Sequence, residues 1–339
     1  DQNWITIPDR GLCLIKLDHF YKWIHLLIMK EKLWRFDVLI NDCFMNFNLD
    51  KVDVQPDGND YLLSVVNGFE DGHWIKKNFQ DFVFNNIAQT ALNAEERDKC
   101  VDDNYTALIE AAKHLRLIED NGKGSEIAEI VLYGIMKHFY KAISATPKIF
   151  YKQNDNDNAK GADAVHIVLT DDGDFQLWLG EAKFYNSIED VRFAEPLNSV
   201  NQMLDTPIIR KEVGVMTSLN ELDNQIEDVQ LVKKIKDALQ GGVSMDYIKP
   251  HIHVPILLLH KCDITAKTTE MDESYIQSII DFHKERATSF FKKQIKRLGN
   301  ITKYDLIQFH LILFPIPNKD EVVDWFINRA KIFKEDAEC

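Results

Sequence analysis

The sequence predicts an α/β fold, a mixed central sheet with helices on both faces. Three observations predict it. Apolar runs of strand length recur through the second half of the chain, at 162–170, 175–184, 252–260 and 306–314. Longer stretches of helical periodicity lie between and around them, at 125–143, 190–204, 272–298 and 321–333. Asp171-Asp172-Gly173-Asp174 is a strong hairpin turn between the first two of those runs. Buried strands alternating with helices pack as a sheet covered by helices.

Taken in order, residues 1–118 read as an N-terminal α+β region. Strands are expected at 11–17 and 61–66, with a turn at Pro56-Asp57-Gly58, and helices at 74–92 and 104–115. The run Glu119-Asp120-Asn121-Gly122-Lys123-Gly124 reads as a break, giving a second domain over 119–339. In that domain Ser125 is expected to cap a helix running to about 143, with Pro147 ending it and a strand following at 147–152. A polar run at 153–160 leads into the strand at 162–170. The stretch from 205 to 251 carries no clear pattern.

Composition narrows the function classes. The chain has 339 residues, 45% hydrophobic and 28% charged, an ordinary globular balance. Its net charge of -14 runs against the basic character usual in nucleic-acid binders, although carboxylates that bind a cation, or a partner carrying the DNA affinity, reconcile the two. Cys13, Cys43, Cys100, Cys262 and Cys339 are odd in number and never in a C-x-x-C pair. That argues against a disulfide framework or structural zinc and points to a reducing cytoplasm. No run reaches the ~18 apolar residues of a membrane span, and no signal-peptide pattern is legible.

The chemistry-bearing residues lie in the second domain. On the strand Leu177-Trp178-Leu179-Gly180-Glu181-Ala182-Lys183-Phe184, side chains alternate, so Glu181 and Lys183 share a face with Leu177 and Leu179. A carboxylate and an ammonium ending an apolar face must be paired, ion-bound or solvated. Gly180, just before Glu181, suggests a close approach to the backbone there. Asp163 shares a face with Val165, Ile167 and Leu169, and the hairpin at 171–174 brings it opposite Glu181, at one edge of the sheet. On the preceding helix, Glu126 borders the apolar face made by Ile127, Ile130, Val131, Gly134 and Ile135, while Glu129 is expected in solvent. Asp163, Glu181 and Glu126 are thus the candidate ligands of Mg²⁺, a hard ion that prefers oxygen donors and for which Mn²⁺ is expected to substitute. With Lys183 as the fourth catalytic candidate, the set suits phosphodiester hydrolysis: the ion polarises phosphate and acidifies water, and the lysine stabilises charge in the transition state.

Glu126, Gly161-Ala162-Asp163 and Glu181-Ala182-Lys183, in helix–strand–strand–strand order, resemble the PD-(D/E)-x-K nuclease superfamily, with Ala162 where a proline is usual. The wider runs Lys160-Gly161-Ala162-Asp163-Ala164-Val165-His166 and Leu179-Gly180-Glu181-Ala182-Lys183-Phe184-Tyr185 resemble the HamA family, nuclease subunits of bacterial Hachiman anti-phage systems. The resemblance implies a restriction-endonuclease-like core, a DNA substrate, and control by a superfamily 2 helicase of the HamB kind. The N-terminal region is offered as the docking surface for such a partner. The chain has no G-x-x-x-x-G-K-[ST] loop, which fits dependence on a separate ATP-driven subunit. The alternative is a nuclease-like subunit without catalysis that binds DNA or a partner protein.

Other features have plainer explanations. A first-turn acid such as Glu126 also complements a helix dipole. Arg286, Lys293 and Arg297 line one stripe of the helix at 272–298, as a solvated face or a phosphate track. His166 faces away from Asp163 and reads as packed core, and His251-x-His253 lacks a second ligand cluster. The aromatics Trp4, Phe20, Tyr21, Trp23, Trp34 and Phe36 read as core.

Overall fold

The computed structural model describes residues 34–47, 58–101, 103–116, 124–151, 161–218, 221–240 and 242–337, and the backbone of two short strands near the start. Two units are present. In the first, Asp1–Arg35, Trp4–Ile5 pairs antiparallel with Ile15–Lys16. The second, Phe36–Cys339, holds the candidate residues.

The second unit is organised on a seven-stranded sheet. Its strands are β1 (Asp37–Cys43), β2 (Asp60–Val66), β3 (Ile143–Thr146), β4 (Ala164–Leu169), β5 (Phe175–Tyr185), β6 (Ile252–Lys261) and β7 (Gln308–Ile316). The order is β1-β2-β7-β6-β5-β4-β3. β2, β7, β6 and β5 are parallel, and β1, β4 and β3 add antiparallel flanks, so the sheet is mixed, as predicted. The parallel strands read as continuous apolar runs because both faces are covered: Ile256, Leu257, Leu258 and Leu259 of β6 are all fully buried.

Helices cover the two faces. The ones that position the site are α1 (Lys76–Ala91), α2 (Asn104–Lys113), α3 (Ser125–His138), α4 (Ala194–Met203), α5 (Thr206–Ser218), α6 (Glu273–Leu298) and α7 (Lys319–Asp336). α3 lies against the Gly180 face of β5, where a Cβ on Gly180 would meet Leu132 at 2.8 Å. The close approach expected at Gly180 is therefore the packing of a helix. α1 lies over α3, with Phe82 against Gly134, so α3 is buried nearly all round. α4 and α6 cover the opposite face, held to each other through Phe193 and Phe290.

Several expectations need correction. β1 and β2, from the first third of the chain, belong to the central sheet, so the expected division at 119–124 does not separate two cores; the units divide at Arg35/Phe36. The strand expected at 147–152 lies earlier, at β3. Pro147 instead precedes a helical turn, Lys148–Tyr151, where a missing N–H costs nothing. The helix expected to reach 143 ends at His138, and Lys141 takes a left-handed φ of 56° before β3 begins. Ser125 is the first residue of α3 and not its cap. The cap is Gly124, at φ +76°, where a Cβ would also meet Phe184 at 2.8 Å. The patternless stretch holds α5 and the helices Glu221–Gln225 and Val229–Ala238.

Among the described residues, no helix is long and apolar enough to cross a membrane. Cys43, Cys100 and Cys262 are free thiols. The turn at 56–58, the break at 119–124, the polar run at 153–160 and the aromatics before Trp34 fall wholly or largely outside the described residues.

Candidate active site

The two strands that carry the candidate residues differ in length, and the difference makes the site. β4 begins at Ala164, opposite Gly180, whereas β5 continues to Tyr185. On its other side β5 stays paired to β6, with Glu181 beside Ile256, Lys183 beside Leu258 and Tyr185 beside His260. Asp163 fills the step where β4 stops. Its N–H donates to the Gly180 carbonyl at 2.8 Å, and its carboxylate accepts from the Ala182 N–H at 3.1 Å. The side chain thus takes an amide that a longer β4 would have paired. The hairpin places Asp163 beside Glu181 as the sequence predicts, but within the sheet and not at its edge.

Glu181 is only 3% exposed. Its Oε1 lies 2.7 Å from Lys183 Nζ, yet that buried oxygen receives no well-directed hydrogen bond. Burial raises the Glu181 carboxyl above the usual carboxylate range, and the nearby Asp163 carboxylate adds to the rise. The Lys183 ammonium and the Ser199 hydroxyl oppose it without cancelling it. For Lys183, burial works downward, but Glu181 and Asp163 outweigh it and the net shift is upward, so the ammonium stays charged. The group is an acid pair held at an energetic cost around one fixed cation.

α4 supplies residues that the sequence reading missed. Glu195 Oε1 lies 3.8 Å from Lys183 Nζ, and its other oxygen accepts from the Tyr185 hydroxyl at 2.9 Å. Ser199, one helical turn further, is the hydroxyl that acts on Glu181. The signals were present: Tyr185 continues the period-two face of Glu181 and Lys183, and Glu195 and Ser199 share one face of the next helix.

Glu126 is placed differently. It is buried, and its Oε1 accepts from the Arg116 N–H at 2.7 Å, tying the chain after α2 to the start of α3. Among the described residues, no three His, Cys, Asp or Glu side chains come together to hold a metal ion. The structure therefore unites Asp163, Glu181 and Lys183 and does not add Glu126 to them. Glu129 is also buried and not in solvent, because α1 covers the face of α3 that the sheet leaves.

The acid pair fits a divalent ion of the Mg²⁺ kind. Two carboxylates meet with one buried oxygen lacking a directed hydrogen bond, and Mg²⁺ is commonly held by one or two carboxylates with water completing its shell. The histidines do other work. His166 packs beside Tyr133 on the far face, with burial lowering it to about 3. His251 Nδ1 bonds the Phe175 carbonyl, and His253 Nδ1 bonds His310 Nε2 at 3.0 Å within a stack that includes Trp178.

No curated protein matches the chain. A family model described as HamA matches residues 40–330, from within β1 into α7 and across all the candidate residues. The chain belongs to the HamA family, whose place is in Hachiman anti-phage defence.

Proposed function

We propose that this chain is a Mg²⁺-dependent deoxyribonuclease of the PD-(D/E)-x-K kind, with Mn²⁺ able to substitute, and that it is the cytoplasmic effector of its defence system. One observation carries the reading: two carboxylates, Asp163 and Glu181, meet beside a charged Lys183 at a step in the sheet. Asp163 and Glu181 would hold the ion, which supplies Lewis-acid polarisation of the phosphodiester and an acidified water. Lys183 is pinned between Glu181 and Glu195, so its ammonium donates from a fixed place to the attacking water or to charge developing on phosphorus. The Tyr185 hydroxyl holds Glu195, which steadies that ammonium in turn. Water oxygen bonds to phosphorus as one P–O ester bond breaks; the attacking water gives up a proton to solvent, and the leaving alkoxide takes one from solvent.

Family membership supports a partner, which we take to be a superfamily 2 helicase of the HamB kind acting as the controlling subunit. The test is cleavage of plasmid and linear DNA by the purified chain, alone and with that helicase. Cutting with Mg²⁺ or Mn²⁺ and none with EDTA is expected. No metal-dependent cutting under either condition would overturn the reading. A second reading, a nuclease-like subunit that binds DNA or a partner without catalysis, is favoured by Glu126 being engaged elsewhere. It predicts a stable complex and no cleavage.

A further inference from the structure

Beside the site, on the far side of α4, lies a groove whose chemistry the catalytic reading does not use. It runs between the turn Asp190–Phe193 with the start of α4 and the last turns of α6. Its floor is Ala194 and Leu197, its lip is Val191 at 74% exposure, and its far wall is Lys293, Lys296 and Arg297. These three cations fall at i, i+3 and i+4, one stripe of the helix. Lys293 shares the Asp190 carboxylate with Arg286, at 3.3 and 3.2 Å. Lys296 and Arg297 are exposed and make no ion pair among the described residues. In a chain of net charge -14, such a local surplus of positive charge is out of keeping with its surroundings.

Two explanations compete. Cations in the last turn of a helix complement its dipole, which accounts for Lys296 and Arg297 as a small stabilising effect. It does not account for a groove with an apolar floor and exposed lip, or for its position. The helix that floors the groove presents Glu195 and Ser199 to Lys183 and Glu181 from its other side. The groove and the acid pair are thus separated by about one helix diameter, ~10 Å, close to three base-pair rises of DNA.

We infer that Lys293, Lys296 and Arg297 seat the phosphate backbone of the nucleic acid a few nucleotides from the bond cut at Asp163 and Glu181. These are positioning residues, and the inference rests on the nuclease reading above. Charge complementarity selects the occupant: a polyanion meets Lys296 and Arg297, which make no ion pair among the described residues, beside Lys293, which Asp190 only partly neutralises, and the apolar lip accepts a sugar or base face.

The test is fluorescence anisotropy of the full chain with a labelled DNA duplex in EDTA, between 50 and 200 mM salt. The double variant Lys296→Glu, Arg297→Glu is expected to bind at least about tenfold more weakly, with the salt slope shallower by about two. Lys296→Arg should bind like the parent. With Mg²⁺ present, the double variant should show a raised KM and a preserved kcat. A melting temperature lowered by no more than the few degrees the dipole effect accounts for shows that the weaker binding is not loss of the fold. Wild-type affinity and slope in the double variant would overturn the inference, as would no measurable binding by the parent chain at 50 mM salt. So would loss of a protein partner with DNA binding intact, which would make the groove a protein-docking site. A parent chain that cuts while the variant binds normally keeps the nuclease reading and rejects the groove. A parent chain that binds through the groove but never cuts does the reverse.

Discussion

Glu181→Gln is expected to bring DNA cleavage to background while leaving the fold at least as stable as the parent. Removing one partner of a buried pair usually costs about 3–5 kcal/mol, because the other charge is stranded. Here the shift runs the other way. Burial and Asp163 raise the Glu181 carboxyl, so the fold already resists its ionised form near neutral pH, and a neutral amide relieves that conflict. Lys183 keeps Asp163 and Glu195 nearby and is not stranded. Lys183→Ala should differ. It removes the cation that offsets two carboxylates, so it should lower stability as well as the cleavage rate, the latter by about 10²–10³-fold as for loss of one transition-state donor. Rates under saturating DNA, alongside urea unfolding, check both. Undiminished cutting by either variant would reject the assignment.

Acidification is expected to destabilise the chain steeply. His166, His253, His260, His283 and His310 are all lowered by burial, His166 to about 3 and His253 and His260 to about 4. Each is neutral in the fold and binds a proton on unfolding once the pH is below about 6.5, its value in the unfolded chain. Stability is therefore full above about pH 6.5 and is lost as pH falls toward the folded values. Between pH 7.5 and 5.5 an imidazole held at about 3 or 4 costs about 1.4 kcal/mol, so His166, His253 and His260 together cost roughly 4 kcal/mol, and His283 and His310 add in the same direction. Set against a total of about 5–15 kcal/mol for a domain, that is a large share of the stability. Glu181 works in the opposite sense, since its raised carboxyl holds a proton in the fold that the unfolded chain releases, but it is one group against five. Urea unfolding at pH 7.5, 6.5 and 5.5 measures the slope. A stability unchanged across that interval would show that the imidazoles take up protons without unfolding.

What the sequence made legible was set by short-range geometry. Glu181, Lys183 and Asp163 could be placed together because strand alternation fixes faces and the turn at 171–174 fixes register over a few residues. Glu126 could not be aimed in the same way, for the converse reason. The direction in which a helical side chain points depends on which faces are covered, and α3 is covered by the sheet and by α1, which blurs the amphipathic signal from which Glu126 was read. The membership of β2 in the sheet depends on parallel pairing with β7, as Leu62 with Leu311, across most of the chain, and no local pattern encodes that. Glu195 and Ser199 sit on a helix that was expected, but their approach to Lys183 is a tertiary contact that strand alternation does not reach.

Calorimetric titration of Mn²⁺ into the full-length chain, the Asp163→Asn variant and the Glu181→Gln variant puts the acid pair to the test without relying on any substrate. One saturable site in the parent chain, abolished or greatly weakened in both variants, is the predicted outcome. No heat of binding in the parent, or the same site intact in both variants, would mean that these two carboxylates do not share an ion.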